Sequence, residues 1–258
     1  MAYVLRDGVA VYYEVHGTGP AILLTHGFAA TGRMWSPQLD MLKRNFSVIV
    51  WDIRGHGRSD SPASPAAYTQ AETLGDMVAI LDALGVSKAI IGGHSLGGYM
   101  SQAFHAQYRA RVAALLLCGC GPGFRKDAPR EAWNAMANRS GDELERGGLA
   151  YLRNRGTEVD PSDHKSVAGL INAARRILTQ KDSVVIDSAP SIAVPTFIAV
   201  GANDENFLAG AQYLAEKISG AQRHVFQGAG HTPNCEVPDA FNAALGAFLE
   251  SNRGAYGA

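Results

Sequence analysis

The sequence predicts an α/β protein: a mostly parallel sheet with helices on both faces, interrupted by a helical insertion. Three observations carry this. Short apolar runs bounded by turn residues alternate with segments of helical period, the order that gives parallel strands joined by crossover helices. One junction reads Gly93-His94-Ser95-Leu96-Gly97, a serine between glycines where a strand meets a helix. The alternation then stops between Gly121 and Ile192, where helical patterns follow one another without a convincing strand.

Each element has its own signal. Val4–Leu5 and Val9–Val15 flank Asp7-Gly8, a hairpin turn. Ala21–Thr25, Phe46–Trp51, Ala89–Gly92, Val112–Cys118, Thr196–Val200 and Arg223–Phe226 are short apolar or β-branched runs and read as strands. Helices are expected at Trp35–Arg44, Ala71–Leu84, Gly97–Gln107, Gly210–Ile218 and Asp239–Asn252. The second is the clearest. Leu74, Met77, Val78, Leu81 and Leu84 keep one face apolar, and Gly85 ends the segment. In the insertion, Arg130–Asn138, Glu143–Arg153 and His164–Leu178 read as helices, and Ser183–Ile186 as a short strand at most. Three helices in about 70 residues are too much for one crossover connection and point to a lid. The division that follows is a core from residues 1–122 and 191–258 with a cap over 123–190.

Bulk properties exclude several classes. The chain has 258 residues, 47% hydrophobic and 18% charged, with a formal net charge of -1. That is enough to bury a substantial core, and too little positive charge for a nucleic-acid or polybasic membrane contact. No basic start leads into an apolar block, and the longest apolar run, Val112–Cys118, is far short of a membrane span. Three cysteines make no disulfide framework, and HExxH and CxxC metal patterns are missing from the sequence. A cytoplasmic protein without a structural metal is the expectation. A homo-oligomer is compatible with all of this.

The chemistry centres on Ser95. A sharp strand-to-helix turn holds its central residue in strained dihedrals and lifts the side chain clear of the sheet. Gly93 and Gly97 stand where side chains would collide. The rival reading is a glycine-rich turn with an incidental serine, so partners are required. A serine nucleophile needs a base, and the base an orienting acid. In this strand–turn–helix context the acid and then the histidine follow the serine along the chain. His231 lies on a glycine-rich loop before the last helix, and Asp204 follows the run Thr196–Val200, with Glu205 as its adjacent competitor. The N–H of Leu96, at the helix start, and that of Phe28, in the loop after the third strand, are the candidate oxyanion donors. Trp35, Phe124, Trp133, Met136 and Tyr151 are candidate substrate contacts. Trp51 and the cap residues Arg130, Arg139, Arg153, Arg155, Arg175 and Arg176 are weaker ones, better read as core and surface. Cys235, four residues after His231, reads as a small buried residue.

Together His26-Gly27-Phe28, Asp52-Ile53-Arg54-Gly55-His56-Gly57-Arg58-Ser59, Gly93-His94-Ser95-Leu96-Gly97-Gly98, Gly201-Ala202-Asn203-Asp204 and Gly230-His231 resemble, in order, the signature segments of the α/β-hydrolase superfamily. The resemblance spans nearly the whole chain. It implies an eight-stranded, mostly parallel sheet, a helical cap and no cofactor, with residues 52–59 as a structural turn. Dehalogenases and epoxide hydrolases of this shape carry aspartate where Ser95 stands. The implied activity is therefore a serine hydrolase acting on a small, largely apolar carboxylic ester or lactone. Two rivals remain. A hydrolase of C–C bonds in ring-cleavage products would need an additional anion-binding set. A ligand receptor with vestigial hydrolysis would keep the serine.

Overall fold

The computed structural model describes residues 2–256 apart from 154 and 157. Its strands are β1 (Ala2–Arg6), β2 (Val9–His16), β3 (Ala21–Thr25), β4 (Ser47–Trp51), β5 (Ala89–His94), β6 (Val112–Cys118), β7 (Thr196–Gly201) and β8 (Gln222–Phe226). Its α-helices are α1 (Ser36–Leu42), α2 (Gln70–Ala83), α3 (Leu96–Gln107), α4 (Asp127–Gly147), α5 (Val167–Arg176), α6 (Val184–Ser188), α7 (Glu205–Lys217), α8 (Pro233–Glu236) and α9 (Pro238–Ser251). One eight-stranded sheet has the order β1-β2-β4-β3-β5-β6-β7-β8. Only β1–β2 and β2–β4 pair antiparallel; the other neighbours are parallel. Asp7 and Gly8 both take positive φ, 50° and 79°, as a two-residue hairpin turn requires.

The central strands are apolar throughout because both of their faces are covered. Successive side chains feed two cores. Leu23, Ile49, Ile91, Leu115 and Ile198 join the cluster under α2 and α3. Their neighbours Ile22, Val48, Ile90, Leu116 and Phe197 join the cluster with Leu42 of α1 and Leu245 of α9. From β3 the chain goes to β4 on one side and reaches β5 on the other, so the strand order reverses between β3 and β5. The loops at the carboxyl ends of these two strands flank a crevice, where open α/β sheets hold their ligands.

Residues 52–59 form the expected turn. The Asp52 carboxylate accepts from the Gly32 N–H at 2.8 Å and the Arg58 N–H at 2.9 Å. Arg54 is 1% exposed and grips Asp76 of α2 with two bonds, at 2.6 and 2.7 Å. Such a buried pair ties α2 to the β4 loop, and removing one partner of it costs about 3–5 kcal/mol.

Between β6 and β7 the described residues contain helices and turns but no strand. The segment packs over the loops after β3 and β4. Thr31 and Arg33 bond Asp163, and His164 reaches the Ala29 carbonyl. Three local readings need correction. The two expected helices 130–138 and 143–153 are one continuous α4, which ends at Gly148 with φ 57°. Gly141, inside it, forms a notch: a Cβ there would lie 2.9 Å from Arg175 Cγ of α5. Ser183–Ile186 is not a strand but the start of α6, because the Asp182 carboxylate accepts from the Val184 N–H at 3.0 Å and Ser183 donates to Asp187 at 2.6 Å. Helix α7 begins at Glu205, five residues before Gly210, which lies inside it and lets Gly121 pass closely. Among the described residues no helix is long and apolar enough to cross a membrane.

Candidate active site

Ser95 stands between β5 and α3 with φ 51° and ψ -113°, one of three described non-glycine residues with positive φ. A conformation of this kind costs about 1–3 kcal/mol and persists only where its surroundings enforce it. They do so here. The Ser95 N–H donates to the Cys118 carbonyl at 2.8 Å, and its own carbonyl starts α3 by accepting from Tyr99 at 3.0 Å. A Cβ on Gly93 would lie 2.3 Å from the Gly97 backbone, and one on Gly97 would lie 2.3 Å from the Thr25 carbonyl. The glycines are thus what lets strand, helix and β3 meet under the serine.

Two main-chain N–H groups near this turn have no backbone acceptor among the described residues. Leu96 is the first residue of α3, so its N–H has no acceptor within the helix. The loop after β3 passes directly beside the serine: a Cβ on Gly27 would lie 3.5 Å from Ser95 Cβ and 2.6 Å from His94 Nδ1. Ala29 takes φ 61° in that loop, and the Phe28 N–H has no backbone acceptor among the described residues.

His231 and Asp204 are joined directly. Nδ1 of His231 donates to Asp204 Oδ2 at 2.8 Å, which leaves Nε2 of the neutral ring as an acceptor. Asp204 is 6% exposed, whereas Glu205 points to solvent, which decides between the two acids. Their loops are stitched by main chain. The Ala202 N–H donates to the Phe226 carbonyl at 2.8 Å and the Asn203 N–H to the Ala229 carbonyl at 2.9 Å. A Cβ on Gly201 would lie 2.0 Å from the Gly230 carbonyl oxygen.

Sequence reasoning missed three groups that hold this histidine. Glu236 accepts from the N–H groups of Gly230 and Thr232, at 2.7 and 2.8 Å, clamping the loop on both sides of His231. Burial raises the pKa of Glu236, but these hydrogen bonds outweigh it and hold the carboxyl below its ordinary range. Phe207 of α7 stacks on the imidazole with centroids 4.7 Å apart. His94 donates through Nε2 to the His231 carbonyl at 2.9 Å, so the residue before the serine is tied to the backbone of the base. Glu236 lies five residues beyond His231 and Phe207 three beyond Asp204, spacings that carry a signal only once the loops are known to meet.

Three further histidines, His26, His56 and His164, brace the β3 loop. His26 accepts the Ile53 N–H at Nε2, 2.9 Å, and donates through Nδ1 to the Gly27 carbonyl. His164 accepts the Gly57 N–H at Nδ1, 3.1 Å, and donates through Nε2 to the Ala29 carbonyl at 2.8 Å. His56 lies between them, 5.0 Å from the His26 ring and 5.9 Å from that of His164. A second proton on His26 or His164 would set N–H against N–H. Burial lowers the pKa of all three, that of His26 to about 4. Groups of this kind bind their extra protons in the unfolded chain, where histidine titrates near 6.5. Their contribution is therefore complete above about pH 6.5 and is lost as pH falls toward about 4. The urea midpoint is expected to be flat above about pH 7 and to fall between about 6.5 and 4, with His26 alone contributing about 3 kcal/mol to the loss. An unchanged midpoint across that window would mean that these rings are not held neutral.

The expected pocket residues divide. Trp133 lies 6.2 Å from Phe124 and 6.3 Å from Phe207, so an aromatic row runs from His231 into the cap. The Trp133 indole N–H donates to the Leu178 carbonyl at 2.8 Å. Met136 is half-buried on the same helix. Tyr151 is half-buried against Leu144, Leu152 and Leu170, with the Arg155 guanidinium 4.2 Å above its ring. Trp35 does not belong with them: it is 2% exposed and packs among Met34, Leu42 and Ile22, because the apolar end of its turn faces the sheet. Trp51 is fully buried and bonded to Thr25. Burial pushes the thiols of Cys120 and Cys235 up to about 12, far from a reactive thiolate near neutrality. Among the described residues no three His, Cys, Asp or Glu side chains gather as a metal site would need.

Comparison with known proteins agrees with this geometry. A family model described as the alpha/beta hydrolase fold matches residues 20–139. The chain is 27% identical to a putative 2-succinyl-6-hydroxy-2,4-cyclohexadiene-1-carboxylate synthase of Bacillus subtilis strain 168, over 96% of this chain and 97% of that protein. It is 28% identical to 3-oxoadipate enol-lactonase 1 of Acinetobacter baylyi, over 95% of each chain. Among solved structures, Est816, described as an N-acyl homoserine lactone degrading enzyme, is 30% identical with a TM-score of 0.74, over 95% of this chain and 99% of that one.

Proposed function

Because the chain belongs to the α/β-hydrolase superfamily, we propose that it hydrolyses a small, largely apolar carboxylic ester or lactone through an acyl-enzyme on Ser95. Relatives described as an enol-lactonase and a lactone-degrading enzyme support that substrate class. The observation that carries the mechanism is the Asp204–His231 hydrogen bond, which fixes the tautomer with Nε2 free to take a proton. Ser95 Oγ attacks the carbonyl carbon and His231 Nε2 receives its proton. The imidazolium is stabilised by Asp204, which does not itself become protonated. The N–H groups of Leu96 and Phe28 receive the oxyanion, and each donor of this kind contributes about 10²–10³ in kcat. The tetrahedral adduct collapses, and the leaving alkoxide takes the proton back from His231. With a lactone, that alcohol stays tethered to the acyl group. Water, deprotonated by His231, then attacks the acyl-enzyme and releases the acid.

A trap that depends on the nucleophile tests this reading. Incubation with diethyl 4-nitrophenyl phosphate is expected to add one diethylphosphoryl group to the protein, with release of 4-nitrophenolate and the mass gain mapped to Ser95. Ser95→Ala is expected to stay unmodified. A wild-type protein that gains no mass, or a Ser95→Ala variant that gains the same mass, would overturn the assignment.

A further inference from the structure

The loop that carries the Phe28 N–H is not held by the sheet alone. Phe28 and Ala29 are the central residues of a turn closed by the Ala30 N–H on the Gly27 carbonyl at 3.2 Å. Ala29 takes φ 61° there, which a residue with a side chain keeps only where its surroundings enforce it. Those surroundings come from the segment between β6 and β7. His164 is 7% exposed and donates through Nε2 to the Ala29 carbonyl at 2.8 Å. Its Nδ1 accepts the Gly57 N–H at 3.1 Å, which fixes the ring proton on Nε2. Beside it, the Asp163 carboxylate accepts from the Thr31 hydroxyl at 3.2 Å and from the Arg33 guanidinium. Asp163 and His164 thus form a tether from the cap to both sides of the turn.

Packing repeats the pattern. Ala29 is buried with Leu144 of α4, Leu152, and Leu170 of α5, and Phe28 packs against them. Apart from Ala29 and Phe28, every described member of that cluster belongs to the segment between β6 and β7. The Phe28 ring stands edge-on to the His56 ring with centroids 5.7 Å apart, and His56 lies against His164. Helix α5 also meets the turn 52–59 backbone to backbone, since a Cβ on Gly55 would lie 2.7 Å from the Gly169 carbonyl oxygen. The two candidate oxyanion donors therefore have different supports. The Leu96 N–H belongs to the start of α3, whereas the Phe28 N–H sits on a turn fastened to the cap. Phe124 and Trp133, on the aromatic side of the cap, take no part in the tether's hydrogen bonds and can vary without breaking them.

We propose, on the basis of the hydrolase reading above, that His164, seconded by Asp163, is a positioning residue for the Phe28 oxyanion donor, so that the cap completes the oxyanion hole. Without the bond to its carbonyl, Ala29 is free to relax toward negative φ, and the turn that aims the Phe28 N–H moves with it. Misplacement of a reacting group by about 1 Å costs about 10²-fold in rate.

The test compares 4-nitrophenyl butyrate with its thiono analogue, in which sulfur replaces the carbonyl oxygen; both release 4-nitrophenolate. Sulfur accepts hydrogen bonds weakly, so the oxo-to-thiono ratio of kcat/KM reports on the oxyanion donors, which a loss of general stability does not move. His164→Leu is expected to lower kcat on the oxo ester by about 10–100-fold, with KM within about threefold of wild type. The oxo-to-thiono ratio is expected to fall by about tenfold. His164→Gln, whose amide offers one acceptor and one donor as the neutral ring does, is expected to recover most of both. Melting curves establish that each variant is folded at the assay temperature. If the leucine variant does not fold, Asp163→Ala decides, because it releases Thr31 and Arg33 and leaves His164 in place: a lowered ratio supports the proposal and an unchanged one overturns it. A ratio in His164→Leu within about twofold of wild type, a glutamine variant as impaired as the leucine one, or wild type with no preference for the oxo ester would overturn the proposal and leave the nucleophile assignment standing. Wild type no faster than Ser95→Ala on the oxo ester would overturn both.

Discussion

Ser95→Ala is expected to lower kcat for a neutral ester by about 10⁵–10⁶-fold, with KM little changed. The hydroxyl contributes to the transition state as the attacking atom, whereas ester binding relies on the pocket wall and the two backbone amides, which the substitution leaves in place. The fold should not suffer. Alanine has the same backbone requirement as serine at φ 51°, and the Ser95 side chain caps no helix. The hydrogen bonds that impose the turn, from the Ser95 N–H to Cys118 and from Tyr99 to the Ser95 carbonyl, are main-chain bonds. Thermal unfolding of the variant is expected to stay within about 0.5 kcal/mol of wild type. Steady-state kinetics beside a melting curve separates the two effects. A variant retaining a tenth or more of wild-type kcat, a limit on the order of one decade in rate, would move the nucleophile elsewhere.

Asp204→Asn should cost about 10⁴-fold in kcat, with folding again preserved. The reason lies in which nitrogen carries the proton. The Asp204 carboxylate can only accept, so it holds the proton on His231 Nδ1. An amide in its place can donate from nitrogen instead, which shifts the imidazole proton to Nε2 and removes the base that Ser95 needs. It also withdraws the charge that stabilises the imidazolium. Glu205 supplies the control, since its exposed carboxylate lies one residue away. Glu205→Gln should leave kcat within about twofold, as expected of a surface change away from the site. A large loss in Glu205→Gln together with a small one in Asp204→Asn would reverse the assignment of the acid.

Much of this was legible before any coordinates, and the pattern of what was not has physical causes. β3 and β6 run over the residues expected of them because a strand buried on both faces leaves a dense apolar run with polar or glycine ends. Ser95 and Asp204 stood out because each follows such a run, and His231 because it ends a glycine-rich loop between a short strand and the last helix. The helices expected at 130–138 and 143–153 run together through 139–142, where Gly141 makes room for a side chain of a different helix. Ser183–Ile186, a short strand at most by its pattern, starts a helix for the opposite reason: the Asp182 carboxylate at the Val184 N–H and the Ser183–Asp187 side-chain bond outweigh the β preference of two valines. Trp35 was misplaced because aromatic residues serve cores and pockets alike, and composition does not separate the two. Glu236, Phe207 and His94 escaped because their importance lies in contacts made across loops.

The stitching of the two loops beneath Asp204 and His231 bears on how this protein tolerates change. The separation of acid and base is held by amide-to-carbonyl bonds from Ala202 and Asn203 to Phe226 and Ala229, and by the bare approach of Gly201 to Gly230. Apart from Gly201, none of that depends on side-chain identity. Asn203 and Gln227 are exposed on these same loops. Saturation libraries at those two positions should therefore return mostly active clones, while a library at Gly201 should return few. The reactive geometry is buffered against drift in its own neighbourhood, which leaves the cap as the part of the chain in which new substrate preferences can accumulate without rebuilding the chemistry.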